Sequence, residues 1–400
     1  MKTMAIVCEY NPFHNGHAHQ ISQHRTQYGV DCVIAVMSGN FVQRGAPAIC
    51  DKWTRAEMAL AGGCDLVLEL PTVFATQSAE RFAFGAVQLI DRLGLVDYLS
   101  FGSECGDISI LKKAACTLLK PEFNEQVLTI LKSGISYPAA REKAMSDLLG
   151  KDFGILLSEP NNLLAIEYLK SLMLLNSKIE PITLARTVGH HDTNNNDIFC
   201  SATHLRTLIE QGKDFSSFIP SDSLLILDNA IKEGKAPADT SKLDTVITYL
   251  LRTINEDKLR MLPDISEGIE KRFIEAGKSE NTFLKISESV KTKRYTKTRI
   301  DRTLIHILLD INKDIANSSP EYFRVLAANS FGTAFLKTIK ENNYPIITKT
   351  ANTVLPSKNA EDMFNIDCRA TDIYSMLYPN DKFNCAGLDF TNSPIIKTSR

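Results

Sequence analysis

The chain has 400 residues, 44% of them hydrophobic, and a formal net charge of -2, enough for a sizeable core and roughly two or three domains. A near-neutral total excludes neither an acidic nor a basic local face, so charge alone rules out no partner. Nine cysteines with no C-x-x-C pair argue against a zinc knuckle or a dithiol redox motif and suit a reducing, cytoplasmic setting.

The first expected element is a short buried strand, Met4–Cys8, an apolar run closed by turn residues. This run is too short for a signal peptide, and no later stretch approaches the length of a membrane span. Asn11-Pro12 signals a turn, and Pro12 pushes Asn11 out of helical geometry. The polar, amphipathic stretch from Asn15 to Tyr28, ended by Gly29, predicts a helix. His14 and His17 therefore fall at a helix N-terminus above a strand end. Partial positive charge and unpaired N–H groups there suit a phosphate. Imidazoles in that place can donate to phosphoryl oxygens as charge builds in a transition state. Gly16 removes the side chain that would keep a flat base off the backbone. Taken alone, H-x-G-H fits a polar surface turn as well as a nucleotide site. The strand before it and the helix after it favour the nucleotide.

Further strands are expected at Cys32–Met37, Leu66–Leu70, Tyr98–Phe101 and Ile182–Ala185, with helices near 52–62, 77–93 and 161–175. Short apolar strands alternating with amphipathic helices imply an α/β, doubly wound, Rossmann-like parallel sheet. Residues 106–150 read as a helical insertion, broken at Pro121 and at Gly134–Pro138. Phe218–Ser221 reads as a linker, which divides the chain into a catalytic domain, 1–215, and a C-terminal region, 216–400. That region is helical to about 313 and then mixed, with a strand expected at Tyr322–Ala327.

Ligands bind outside the carboxyl ends of such strands, and several polar clusters fall there. Ser38-Gly39-Asn40 frees the backbone after the second strand, and Arg44 brings a fixed charge; a flexible surface loop explains them equally. Lys52 and Arg55, at the start of the next helix, read as solvated surface. Gly102 ends the fourth strand, where ribose or adenine can meet bare backbone. Asn161 and Asn162 open a helix, as caps or as base and ribose partners. Ser201-Ala202-Thr203-His204-Leu205-Arg206 starts another helix after a polar loop, Gly189–Asp197, and offers a second phosphate cradle. Arg186, at the end of the preceding strand, is a further phosphate partner. Downstream, Lys285, Lys291, Lys293, Arg294, Lys297, Arg299 and Arg302 crowd one span with Tyr295, opposed only by Glu288 and Asp301. Such density with an aromatic suits a surface that tracks a nucleic-acid backbone, although charge alone does not separate RNA from DNA.

Together, His14–His17 and Ser201–Arg206 resemble the two hallmarks of the H-x-G-H nucleotidyltransferase superfamily. Glu9–His17, Met37–Gly45, Asp65–Pro71, Phe101–Glu104, Pro160–Asn162, Ser201–Arg206 and Lys291–Arg299, in that order, look like the bacterial tRNA(Met) cytidine acetate ligase family across nearly the whole chain. The resemblance implies a nucleotidyltransferase-type sheet and a cytoplasmic ligase. Such an enzyme activates acetate with ATP and Mg2+ to acetyl-adenylate, then acetylates N4 of the wobble cytidine of elongator tRNA(Met). It implies catalytic roles for His14 and His17, and ATP binding by Val7, Asn11, Phe13, Gly16, Gly102, Asn161, Asn162, Arg186, Ser201, Thr203 and Arg206. It implies tRNA binding by Lys291, Lys293, Arg294, Tyr295, Lys297 and Arg299, no protein ligand to the metal, and neither a DNA nor a membrane partner. Two other readings of the residues stand beside it. One is a nucleotidyltransferase that adenylylates a small phosphorylated metabolite, which leaves the basic segment without a purpose. The other is a non-catalytic RNA-binding protein with a vestigial nucleotide pocket.

Overall fold

A computed structural model of the chain describes residues 1–186, 198–266, 268–339, 344–351 and 353–398; the polar loop Gly189–Asp197 lies outside them. In chain order the strands are β1 (Thr3–Cys8), β2 (Cys32–Ser38), β3 (Phe41–Val42), β4 (Ala46–Pro47), β5 (Leu66–Leu70), β6 (Tyr98–Ser103), β7 (Glu180–Ala185), β8 (Phe323–Ala328), β9 (Ile346–Ile347) and β10 (Ile395–Ile396). The main sheet runs β10-β8-β5-β2-β1-β6-β7, with β9 beside β8. From β5 through β7 every neighbouring pair is parallel. The order reverses at β1, so the carboxyl ends of β1 and β6 form the switch point where doubly wound sheets take ligands.

Side chains alternate across the sheet as a two-residue period requires. Val33, Ala35 and Met37 of β2 enter one core, while Cys32, Ile34 and Val36 enter the other. Burial on both faces explains why these strands read as continuous apolar runs. The covering helices Asn15–Tyr28, Lys52–Ala61, Ala79–Arg92 and Pro160–Leu174 match the expected segments. The insertion folds as Ile108–Leu118, Pro121–Leu131, Tyr137–Leu149 and Lys151–Ser158. Pro121 begins a helix as well as ending the segment before it, because the N–H it lacks would be unpaired there anyway.

Helices of the second half, among them Leu243–Thr253, Ile269–Ser279, Phe283–Val290 and Lys297–Leu309, enclose a separate core around Ile247, Phe273, Ile286, Ile300 and Leu304. The chain then returns to the main sheet: β8 pairs antiparallel with β5, and β10 pairs with β8. The sheet thus draws strands from both sides of the expected division near residue 215. A buried ion network fastens this return. Lys52 Nζ lies 2.9 Å from Glu69 and 2.8 Å from Asp389, and Arg324 reaches Asp389 at 2.7 Å and Glu69 at 3.4 Å. Charges this deep are held only as partners of one another. Among the described residues, no helix is long and apolar enough to cross a membrane.

Candidate active site

The turn after β1 passes through Tyr10 in the left-handed region (φ 44°) and a cis Asn11-Pro12 bond before His14 caps the Asn15–Tyr28 helix. Two reciprocal hydrogen bonds close this cap. Gly16 N–H donates to His14 Nδ1 at 3.1 Å, and His14 N–H donates to His17 Nδ1 at 3.2 Å. Gly16 lets the rings sit close: a Cβ there would stand 3.0 Å from His14 Cε1, a tight contact from which the imidazole would have to shift. The two imidazoles stack with centroids 3.6 Å apart, and the Tyr10 and Phe13 rings prop His17 from its other sides.

Both rings are neutral at physiological pH. Burial pushes His14 down to about 3, helped by the Arg186 and Arg206 guanidinium groups. Burial also holds His17 well below the usual range, and His14 and Arg186 add to it. With Nδ1 accepting in each ring, the single proton of the neutral form resides on Nε2. The pair therefore offers two neutral N–H donors at a helix N-terminus, a setting that stabilises phosphoryl charge without a proton transfer.

The second motif closes on the first. Ser201 Oγ accepts from His204 N–H at 3.2 Å and caps the helix Ala202–Glu210. One turn in, Arg206 donates to the Asn11 carbonyl at 2.8 Å and to Thr203 Oγ1 at 3.2 Å. Asn11 Oδ1 accepts from Ile49 N–H at 2.7 Å, which pins the turn to the segment before the Lys52–Ala61 helix. Across the switch point, Gly102 leaves room for Arg186, whose Cγ would lie 3.2 Å from an added Cβ. Val7, in the last turn of β1 before the histidines, is half-buried beside this end.

Several expected residues also hold the frame around the opening. Phe13 is fully buried, packed on the bare backbone of Gly62. Asn162 is also fully buried; its Oδ1 accepts from Cys105 N–H (3.1 Å) and its Nδ2 donates to Glu159 (2.5 Å). Asn161 donates through Nδ2 to Glu104 at 2.6 Å. The Glu104 carboxylate also takes the Asn161 and Asn162 N–H groups, so an acid from the β6 loop caps the Pro160–Leu174 helix.

Part of the basic segment is likewise engaged within the protein. Tyr295 is buried in the second-half core and carries the Arg299 guanidinium over its ring, so it is no exposed stacking platform. Arg299 also donates to the Asp264 carbonyl and Ser266 Oγ, and Arg302 pairs with the Asp264 carboxylate at 3.0 Å. Lys291, Lys293, Arg294 and Lys297 are exposed.

Lys52 and Arg55, expected on the surface, are both fully buried. Arg55 donates to the carbonyls of Cys50, Glu9, Ser38 and Gly39, binding the turn after β1 to the loop after β2. At Gly39 a Cβ would meet Glu69 Oε1 at 2.4 Å, so this loop's backbone lies directly against the buried ion network. A cluster of carbonyls from Gly-rich loops leaves no mark in the sequence that separates such an arginine from a solvated one.

A family model described as HIGH Nucleotidyl Transferase matches residues 1–387. The tRNA(Met) cytidine acetate ligase of Thermoanaerobacter sp. (strain X514) is 41% identical, over 99% of this chain and 100% of its own. The chain belongs to the tRNA(Met) cytidine acetate ligase family of HIGH nucleotidyl transferases. A Clostridium perfringens protein of the same name is 40% identical, over 99% of this chain and 100% of its own. The crystal structure of Thermotoga maritima TmcAL bound with alpha-thio ATP superposes with a TM-score of 0.93 at 34% identity, covering 100% of both chains. This is the fold of an ATP-dependent enzyme family, and its histidine pair sits at the sheet's switch point.

Proposed function

We propose that the chain activates acetate with ATP and transfers the acetyl group to N4 of the wobble cytidine of elongator tRNA(Met). The supporting observation is the convergence of two motifs nearly two hundred residues apart. Arg206 of the second donates to the Asn11 carbonyl of the first, beside two neutral imidazoles and Arg186.

Acetate oxygen attacks the α-phosphorus of ATP; the O–Pα bond forms, the Pα–O bond to the β-phosphate breaks, and pyrophosphate leaves. His14 and His17, as Nε2–H donors, stabilise charge at the reacting phosphoryl group. Arg206, with Ser201 and Thr203 at the same helix start, takes the departing pyrophosphate, and Arg186 holds the nucleotide from the β7 end. The surrounding donors are imidazole and guanidinium groups. Among the described residues no cluster of three or more His, Cys, Asp or Glu side chains forms a metal cage. That donor set fits Mg2+ carried on the triphosphate, where the ion would neutralise phosphate charge. The cytidine amine then attacks the acetyl carbonyl, and AMP leaves.

Exposed Lys291, Lys293, Arg294 and Lys297 give the RNA a basic landing. The test is incubation with ATP, Mg2+, labelled acetate and tRNA. Acetate-dependent pyrophosphate release with stable label on one tRNA supports the proposal. Pyrophosphate release that needs a phosphorylated metabolite instead refutes it.

A further inference from the structure

The hairpin β3–β4 joins two regions that the chemistry above uses separately. Its turn, Gln43-Arg44-Gly45, closes with the Gly45 N–H donating to the Val42 carbonyl at 2.9 Å. On one side, Gln43 N–H donates to Glu9 Oε1 at 3.0 Å, two residues before the Asn11 carbonyl that holds Arg206. On the other side, Gly45 (φ 77°) presses its backbone on the Lys297–Leu309 helix. A Cβ there would lie 2.2 Å from Arg302 N and 2.4 Å from the Asp301 carbonyl carbon. Only glycine satisfies both the left-handed backbone and that approach. Asp301 in turn receives Lys297 Nζ at 2.7 Å, so the last exposed lysine of the basic segment lies one helical turn from the hairpin.

Arg44 stands exposed on this turn, between the basic segment and the phosphate end of the site. Burial lowers the Arg206 guanidinium, the Glu9 carboxylate opposes that, and the charge of Arg44 adds to the lowering. Two guanidinium groups in such proximity are favoured when anions lie against them. Arg206 belongs to the phosphate end of the site proposed above, and the hairpin that carries exposed Arg44 touches both Glu9 and the Lys297–Leu309 helix.

We infer that Arg44 is a positioning residue for the RNA: seated between Glu9 and the Asp301–Arg302 backbone, it takes an RNA phosphate beside the acceptor nucleotide and sets its distance to the adenylate. The inference rests on the RNA-acetylation reading above.

The test uses the full-length protein, an elongator tRNA(Met) transcript, and the variants Arg44→Ala and Arg44→Lys. Removing one phosphate contact lowers the slope of log affinity against log salt by about 0.7 to 1. Arg44→Ala should show that drop and raise KM for tRNA about tenfold, a larger change than in KM for ATP during RNA-free, acetate-dependent pyrophosphate exchange. Arg44→Lys should recover most of the slope, which a purely structural role would not. An unchanged slope, or equal shifts in both KM values, overturns the role of Arg44. If the wild type acetylates no tRNA but Arg44→Ala still lowers the slope, the RNA contact is supported and the transfer reading falls.

Discussion

His14→Asn separates the electrostatic account of the histidines from their role as a helix cap. Asparagine is a good N-cap, so the replacement keeps an acceptor for the Gly16 N–H. It removes the group whose protonation the fold resists. Unfolded, His14 titrates near the ordinary histidine value of about 6.5; folded, burial and the two arginines push it down to about 3. The depressed value means that the unfolded chain binds the proton first. The stability tied to neutral His14 is therefore fully present above about pH 6.5, falls between there and about pH 3, and is lost below. At pH 4.5, two pH units under the unfolded value, the loss is about 3 kcal/mol at 1.36 kcal/mol per unit. Urea unfolding of wild type and variant at pH 7 and pH 4.5 measures it as a difference of differences. The wild type should lose about 3 kcal/mol more than His14→Asn between the two pH values. Equal losses would refute the claim that His14 is held neutral by its surroundings.

Gly16→Ala should act oppositely on stability and activity. Alanine favours the helix by roughly 0.5–1 kcal/mol, so the thermal midpoint holds or rises. Its Cβ, 3.0 Å from His14 Cε1, should displace the ring and slow pyrophosphate exchange by about tenfold or more; an unaffected rate would remove Gly16 from the site. Lys52→Met leaves Glu69 and Asp389 buried without their ammonium partner and should cost about 3–5 kcal/mol. A urea midpoint equal to wild type would show that the network does not fasten β8 to the sheet. Combined Lys293→Glu and Arg294→Glu should raise KM for tRNA about tenfold or more and flatten its salt dependence. A matching rise in KM for ATP would merge the two binding regions into one.

The parallel sheet was legible because strands buried on both faces must be apolar throughout, and because glycine, proline and polar caps punctuate them. The histidine turn was legible for the same reason: a strand end and a helix start bracket it. Arg55 was not, since its four carbonyl partners come from Cys50, Glu9, Ser38 and Gly39 and leave no side-chain pattern. The basic residues around Tyr295 suggest solvent, whereas Tyr295, just before the Lys297–Leu309 helix, joins Ile300 and Leu304 of that helix in one core. The place of β8 in the sheet depends on Arg324 meeting Glu69 and Asp389, and each of the three alone reads as surface. Asn162 does not cap its own helix: its amide braces Cys105 and Glu159 while the Glu104 carboxylate takes the helix N–H groups.

RNA-free pyrophosphate exchange tests the central claim most directly. Labelled pyrophosphate should enter ATP only when acetate is present, and His14→Asn and His17→Asn should each abolish that incorporation while binding of the tRNA transcript persists. Exchange that is independent of acetate, or that survives loss of either imidazole, would contradict adenylate formation at the histidine pair.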